Sequence, residues 1–320
     1  MALESGWPPA IRERKESVPT VKGFGQFLGG MALASTFLCA PTMGAAENIR
    51  ITLLGTGTPF PSAERYGTAI LVEAGGKKLL FDCGRGAVIR LAEVGVKPSE
   101  INALFLTHLH SDHVVGLPDL WLTGWFLGRQ EPLEVRGPAG TRNLTAHLIQ
   151  AFSADITARE APPENLPPRG AEIEGRDVHQ GIVYDGDGVR VTAFLVDHAN
   201  VKPAFGYRVD YMNHSAVISG DTKFSENLIR FAKGADCVLH IAWMPGQKNA
   251  TPVPLRSVAS AEDAGRVFAI VKPKLAVIYH YKSEEGIADA VKTEYTGPFI
   301  VAQDLTVIDV GNDVTWHTAR

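Results

Sequence analysis

The chain has 320 residues, 45% of them hydrophobic, and a formal net charge of −4 at pH 7. That is enough chain to bury a large core as one domain, and its mild acidity argues against a long nucleic acid as partner, because such binding draws on phosphate neutralisation. Three cysteines exclude a disulfide framework.

The first 46 residues differ in kind from the rest. Arg12, Arg14, Lys15 and Lys22 precede a moderately apolar stretch, residues 24–40, and Gly44-Ala45-Ala46 supplies small residues that a signal peptidase accepts. This predicts export to the periplasm with cleavage after Ala46, the alternative being an N-terminal extension. Cys39 leaves with that segment, and so do four basic and three acidic residues, making the remainder slightly more acidic. The hydrolytic domain is expected over residues 47–320. No later segment approaches the roughly 20 apolar residues needed to cross a bilayer.

Further along, apolar runs predict strands over residues 101–106, 191–196, 215–219 and 275–279, with helical stretches over 85–94 and 261–271. The Pro-rich residues 161–168 read as a rigid surface loop. Each predicted strand ends in candidate metal ligands. The first runs into Thr107-His108-Leu109-His110-Ser111-Asp112-His113, the second into His198, the third into Asp221 and the fourth into His280. Neutral imidazoles and carboxylates are donors that zinc prefers and that manganese or iron also accept. Four donors in six residues can face two adjacent ions, whereas His147, His179, His214 and His317 read as ordinary hydrogen-bonded histidines.

Trp121 and Trp125 lie four apart on one predicted helix, which by default means core packing and otherwise an aromatic wall beside the metals, with Trp243. Cys83 and Cys237 read as buried thiols. Gly55-Thr56-Gly57-Thr58 lacks both the Lys-Ser/Thr of a phosphate-binding loop and the third glycine of a dinucleotide site. No serine nucleophile elbow is present.

Several motifs together resemble the metallo-β-lactamase-fold hydrolases, in their ribonuclease Z-like branch. They are Ile51-Thr52-Leu53-Leu54-Gly55-Thr56-Gly57, Leu80-Phe81-Asp82-Cys83-Gly84, the run from His108 to His113, His198 with Phe205-Gly206-Tyr207, Ser219-Gly220-Asp221-Thr222, and His280. The resemblance implies an α/β fold, a four-layer αββα sandwich with two mixed sheets. It also implies two Zn2+ ions, the first held by His108, His110 and His198, the second by Asp112, His113 and His280, with Asp221 bridging. Paired ions roughly 3.5–4 Å apart turn a shared water into hydroxide near neutral pH, and Asp112 would also orient that nucleophile.

Three departures from the transfer-RNA-processing members concern substrate handling. The long arm expected between His198 and Asp221 is replaced by a short connection. The loop Pro61-Ser62-Ala63-Glu64-Arg65-Tyr66 keeps the arginine of the RNA-end-binding pattern but has Ala63 for its lysine and Tyr66 for its asparagine. Ile241 replaces the glutamate of a His-Glu pair, leaving His240 as an unpaired candidate general acid.

The Trp-bearing segment resembles exported arylsulfatase-like members and aromatic dehalogenases. The leading expectation is therefore a dinuclear-zinc hydrolase of small organic sulfate or phosphate esters, aryl ones above all. The alternative is a ribonuclease Z-like phosphodiesterase acting on short RNA or cyclic nucleotides. A lactonase or hydrolytic dehalogenase, and from another class an iron-dependent oxidoreductase, stand behind these. The oligomeric state is left open, a homodimer included.

Overall fold

The computed structural model describes residues 48–246 and 256–319. The segment read as an export signal, with Cys39, lies outside them. Strands β1 (Ile49–Gly55), β2 (Ala69–Ala74), β3 (Lys77–Phe81), β4 (Ala103–Phe105), β5 (Leu133–Gly137) and β6 (Ile173–Asp177) lie side by side in that order. A second sheet carries β7 (Gly181–Gly186), β8 (Val189–Leu195), β9 (Phe205–Tyr211), β10 (His214–Ile218), β11 (Cys237–Ile241), β12 (Leu275–Tyr279) and β13 (Phe299–Val301). The C-terminal strands β14 (Thr306–Val310) and β15 (Val314–Thr318) return to the first sheet beside β1.

Both sheets are mixed. From β3 to β6 and from β10 to β13 neighbouring strands are parallel, while the remaining pairs are antiparallel. Parallel strands are covered on both faces, which is why β11 and β12 are apolar throughout apart from His240 and are buried at every position.

The pleat sorts side chains into layers. Ile51, Val72 and Phe81 of one sheet meet Val191, Tyr207 and Leu239 of the other in the central core. The opposite faces take the helices. Leu71, Leu80 and Leu104 pack on α1 (Ala87–Glu93) and α3 (Leu117–Phe126), beyond the single turn α2 (Ser111–Val114). The helices α4 (Thr141–Ala151) and α5 (Ser153–Glu160) extend this layer. Val217, Val238 and Ile278 pack on α6 (Glu226–Ala232), α7 (Ala261–Val271) and α8 (Ile287–Lys292). Helix α7 starts at a capping box in which Ser260 and Asp263 satisfy each other's backbone N–H. The result is the expected four-layer αββα sandwich, and the Pro-rich loop leads into β6 as read from sequence. Among the described residues no helix is long and apolar enough to cross a membrane.

Strands β8 and β10 both run antiparallel to β9, and β11 and β12 run parallel to β10. The C-terminal ends of β8, β10 and β12 therefore share one edge of their sheet, and the donors that follow them converge there.

Candidate metal centre

The chain leaving β4 passes His108 and His110 and then coils into α2, so that Asp112 and His113 lie on one helical turn, both buried. His198 follows β8, Asp221 follows β10 and His280 follows β12. The turn before Asp221 needs glycine. Gly220 has φ 59°, and a Cβ there would collide with the Phe205 carbonyl oxygen. His280 and Asp82 hold the same left-handed conformation, at φ 52° and 57°, without being glycine. Such strain costs on the order of 1–3 kcal/mol and persists where the surroundings enforce it.

Seven side chains meet in two groups. His108, His110, His198 and Asp221 form one; Asp112, His113 and His280 form the other, and within each group the donor atoms lie within 4.8 Å of one another. His108 Nε2 and His198 Nε2 approach His110 Nδ1 to 2.9 and 3.3 Å. Asp221 faces both groups with different oxygens. Its Oδ1 lies 3.2 Å from His280 Nε2 and 3.5 Å from His113 Nε2, while its Oδ2 lies 3.8 Å from His198 Nε2. Asp112 Oδ2 stands 3.6 Å from His113 Nε2 and 3.7 Å from His280 Nε2.

Outer hydrogen bonds aim the rings. His280 Nδ1 donates to the Gly57 carbonyl at 2.6 Å, and His198 Nδ1 donates to the Ser257 carbonyl at 2.8 Å. A carbonyl only accepts, so the proton of the neutral ring sits on Nδ1 and the Nε2 lone pair points to the centre. His113 Nδ1 is likewise bound by Asp82 Oδ2 at 2.8 Å, and His108 Nδ1 meets the Thr107 hydroxyl at 3.0 Å.

The inner atoms lack protein partners. Asp112 Oδ2, His113 Nε2, Asp221 Oδ1 and His280 Nε2 are buried without a hydrogen bond. An unpaired buried polar atom costs about 1–3 kcal/mol, and four that face one another fit a cation as their common partner. Charge agrees with that fit. Burial opposes ionisation of Asp221, but His280 and His113 outweigh it and hold the carboxyl well below its ordinary range. Burial, reinforced by His113, keeps His108 well below the usual imidazole range. Burial also disfavours the His113 imidazolium, yet Asp82 and Asp221 raise that ring to about 9. A cation entering here therefore displaces a proton. His110 is exposed and marks the open side of the cluster.

Asp82 is the outer residue that sequence reasoning left without a role, although its motif was noticed. It is 3% exposed, and its Oδ1 accepts the Thr107 N–H at 2.8 Å while its Oδ2 holds His113. Asp82→Asn is expected to lower metal affinity about 10–100-fold, the usual cost of losing such a partner. Competition with a chromophoric chelator measures it, and unchanged affinity would rule out this positioning role.

His240 does not join the cluster. On β11 it points to the helix side with Val238, its ring lies 6.1 Å from Phe268 edge-on, and its Nδ1 donates to the Ile241 carbonyl at 2.7 Å. Burial lowers it to about 4, so it is neutral near pH 7 and enclosed. The strand's alternation turns this side chain away from the central layer, where Leu239 and Ile241 lie instead, and it belongs to neither donor group.

Trp121 and Trp125 are also core residues. Both are fully buried, and their indole N–H groups donate to the carbonyls of Ala171 and Pro167, so neither forms a wall beside the donors. Trp243 does reach the site, its ring 6.1 Å from that of His280. Cys83 and Cys237 are buried, as read from sequence, the structure has both thiols free, and burial pushes both up. The connection from His198 to Asp221 is the hairpin of β9 and β10, joined by Met212 and Asn213, with no arm. Arg65 donates to the carbonyls of Thr56 and Tyr281 at 2.7 Å each, tying its loop to the chain that follows His280. Tyr66 lies under the Arg90 guanidinium and against Gly86.

Residues 49–258 match the family model described as anti-Pycsar protein Apyc1. The ribonuclease Z of Mycobacterium avium (strain 104) is 36% identical over 280 residues, covering 82% of this chain and 98% of that protein. The ribonuclease Z of Mycobacterium sp. (strain KMS) is 42% identical over 198 residues, 61% of this chain and 68% of its own length. Among solved structures, the metallo-β-lactamase fold protein YhfI from Bacillus subtilis superposes with a TM-score of 0.65 at 18% identity, over 82% of this chain and 99% of that one.

Proposed function

This chain belongs to the ribonuclease Z-like family of metallo-β-lactamase-fold hydrolases, and we propose that it is a phosphodiesterase acting on short RNA or cyclic nucleotides. It is a metal-dependent hydrolase; the substrate class is our reading. The observation that carries it is the match to a ribonuclease Z along nearly that protein's whole length. The sulfate-ester reading draws no comparable support. Its structural argument was an aromatic wall of Trp121 and Trp125, and both are core residues. The two-residue hairpin between β9 and β10 favours a short substrate over a transfer RNA.

In this reading His108, His110 and His198 would hold one ion and Asp112, His113 and His280 another, with Asp221 offering one oxygen to each. The donor set favours zinc, with manganese or iron acceptable. Bound ions of this kind activate water and stabilise charge on phosphate oxygens. The protein's part is orientation. The carbonyls of Gly57 and Ser257 and the Asp82 carboxylate fix three rings with Nε2 inward, so the donors need little rearrangement. Asp112 would orient an attacking water as well as bind.

The test is metal analysis of the purified protein together with hydrolysis of matched bis-aryl phosphodiester, aryl sulfate and lactone substrates. Phosphodiester cleavage inhibited competitively by nucleotides is expected. Sulfate or lactone turnover with the phosphodiester untouched would overturn the reading.

A further inference from the structure

An open groove of about 600 Å³ lies beside the metal centre, lined in part by Gly57, Thr58, Phe60, Arg65, Tyr281 and Lys282. It adjoins the centre, because Gly57, one of its lining residues, is also the residue whose carbonyl accepts from His280, and Tyr281 and Lys282 follow His280 in the chain. Phe60 is 61% exposed. Burying a phenylalanine side chain is worth about 1.5–3 kcal/mol, and here most of that surface stays open to whatever enters the groove.

The ring is also held ready. Pro59 and Pro61 flank it and restrict the backbone on both sides. The loop behind is fixed by Gly57 N–H to the Tyr66 carbonyl at 2.7 Å, by Ser62 Oγ accepting from the N–H groups of Glu64 and Arg65, and by Arg65 across the Tyr281 ring. Asp304 accepts the N–H and hydroxyl of Thr56 at 2.8 Å and the N–H of Tyr66 at 2.7 Å, closing the loop's base. Trp243 backs Phe60 at 6.4 Å between centroids and meets His280 edge-on, while Lys282 Nζ stands 5.9 Å from the Phe60 ring. An aromatic face, a cation beside it and a catalytic centre next door match the parts of a nucleotide. Glu284 and Gln303, hydrogen-bonded to each other at 3.3 Å, add polar groups that suit base edges.

We propose that Phe60 is the stacking platform for the substrate's nucleobase, with Lys282 beside it facing the nucleotide's negative charge. This rests on the phosphodiesterase reading for its substrate class. It gives a shortened substrate a hold that does not depend on the absent arm, since stacking is indifferent to sequence and every base has a face to offer.

Calorimetric titration of the full chain with 3′,5′-cyclic AMP and with ribose 5-phosphate, which lacks a base, tests it in wild type, Phe60→Ala and Phe60→Trp. Phe60→Ala is expected to weaken cyclic AMP binding about tenfold, in line with single base–aromatic stacks, with Phe60→Trp restoring it and no matching loss for ribose 5-phosphate. Equal affinities for cyclic AMP in all three proteins, or an equal loss for the sugar phosphate, would overturn the platform. Hydrolysis assayed on the same wild-type preparation separates the two ideas, because binding that follows the ring without turnover defeats the phosphodiesterase reading and leaves the platform standing.

Discussion

Asp221→Ala is expected to abolish paired metal binding and with it phosphodiester hydrolysis. Its two oxygens are divided between the donor groups, Oδ1 toward His113 and His280 and Oδ2 toward His198, so one substitution removes a donor from both. The loss should exceed the roughly 10–100-fold that follows removal of an outer partner such as Asp82. The residue is only 5% exposed, and the truncation also removes the negative charge that buried imidazoles face. Metal content and turnover measured on the same preparation decide the matter. Near-normal turnover in a fully metallated Asp221→Ala protein would refute the bridging role.

Trp121→Ala is expected to cost stability, about 3–5 kcal/mol, the usual range for deleting a large buried aromatic side chain. The ring is 0% exposed, meets Phe152 edge-on at 6.0 Å, and donates its N–H to the Ala171 carbonyl at 3.0 Å. Truncation leaves both a cavity and an unpaired acceptor. Denaturant unfolding gives the size, and metal content in the folded fraction should match wild type. A variant as stable as wild type but selectively impaired on aryl substrates would return Trp121 to the active site, against the burial seen here.

Much of the centre was legible because its donors follow regular elements. The apolar runs at 191–196, 215–219 and 275–279 correspond to β8, β10 and β12, and the helical stretch 261–271 corresponds to α7. A short donor-rich loop after a strand announces itself through residue type and spacing alone. Other side chains around the centre carry no such signal. His240 sits on β11 one position from residues that face the central core, and a period of two assigns its face only once the sheet's two neighbours are known. Phe60 is equally silent in the sequence, since one phenylalanine between two prolines says nothing about exposure until the groove around it exists. Asp304 is still less visible, because its partners Thr56, Tyr66 and Arg90 lie more than 200 residues away in the chain.

The donor inventory, the strands that present it and the resemblance to a metallohydrolase family can be read residue by residue, because hydrophobic period and ligand type are local properties. Which atoms face inward depends instead on contacts between distant parts of the fold. The inward aim of His280 comes from the carbonyl of Gly57, 223 positions away, and that of His198 from the carbonyl of Ser257, 59 positions away. A backbone carbonyl has the same chemistry whatever its side chain, so no residue letter could mark these two for that task. Stacking of the two sheets brings the Gly57 carbonyl, after β1, within 2.6 Å of His280, and the strand order of the second sheet brings the Ser257 carbonyl, just before α7, within 2.8 Å of His198.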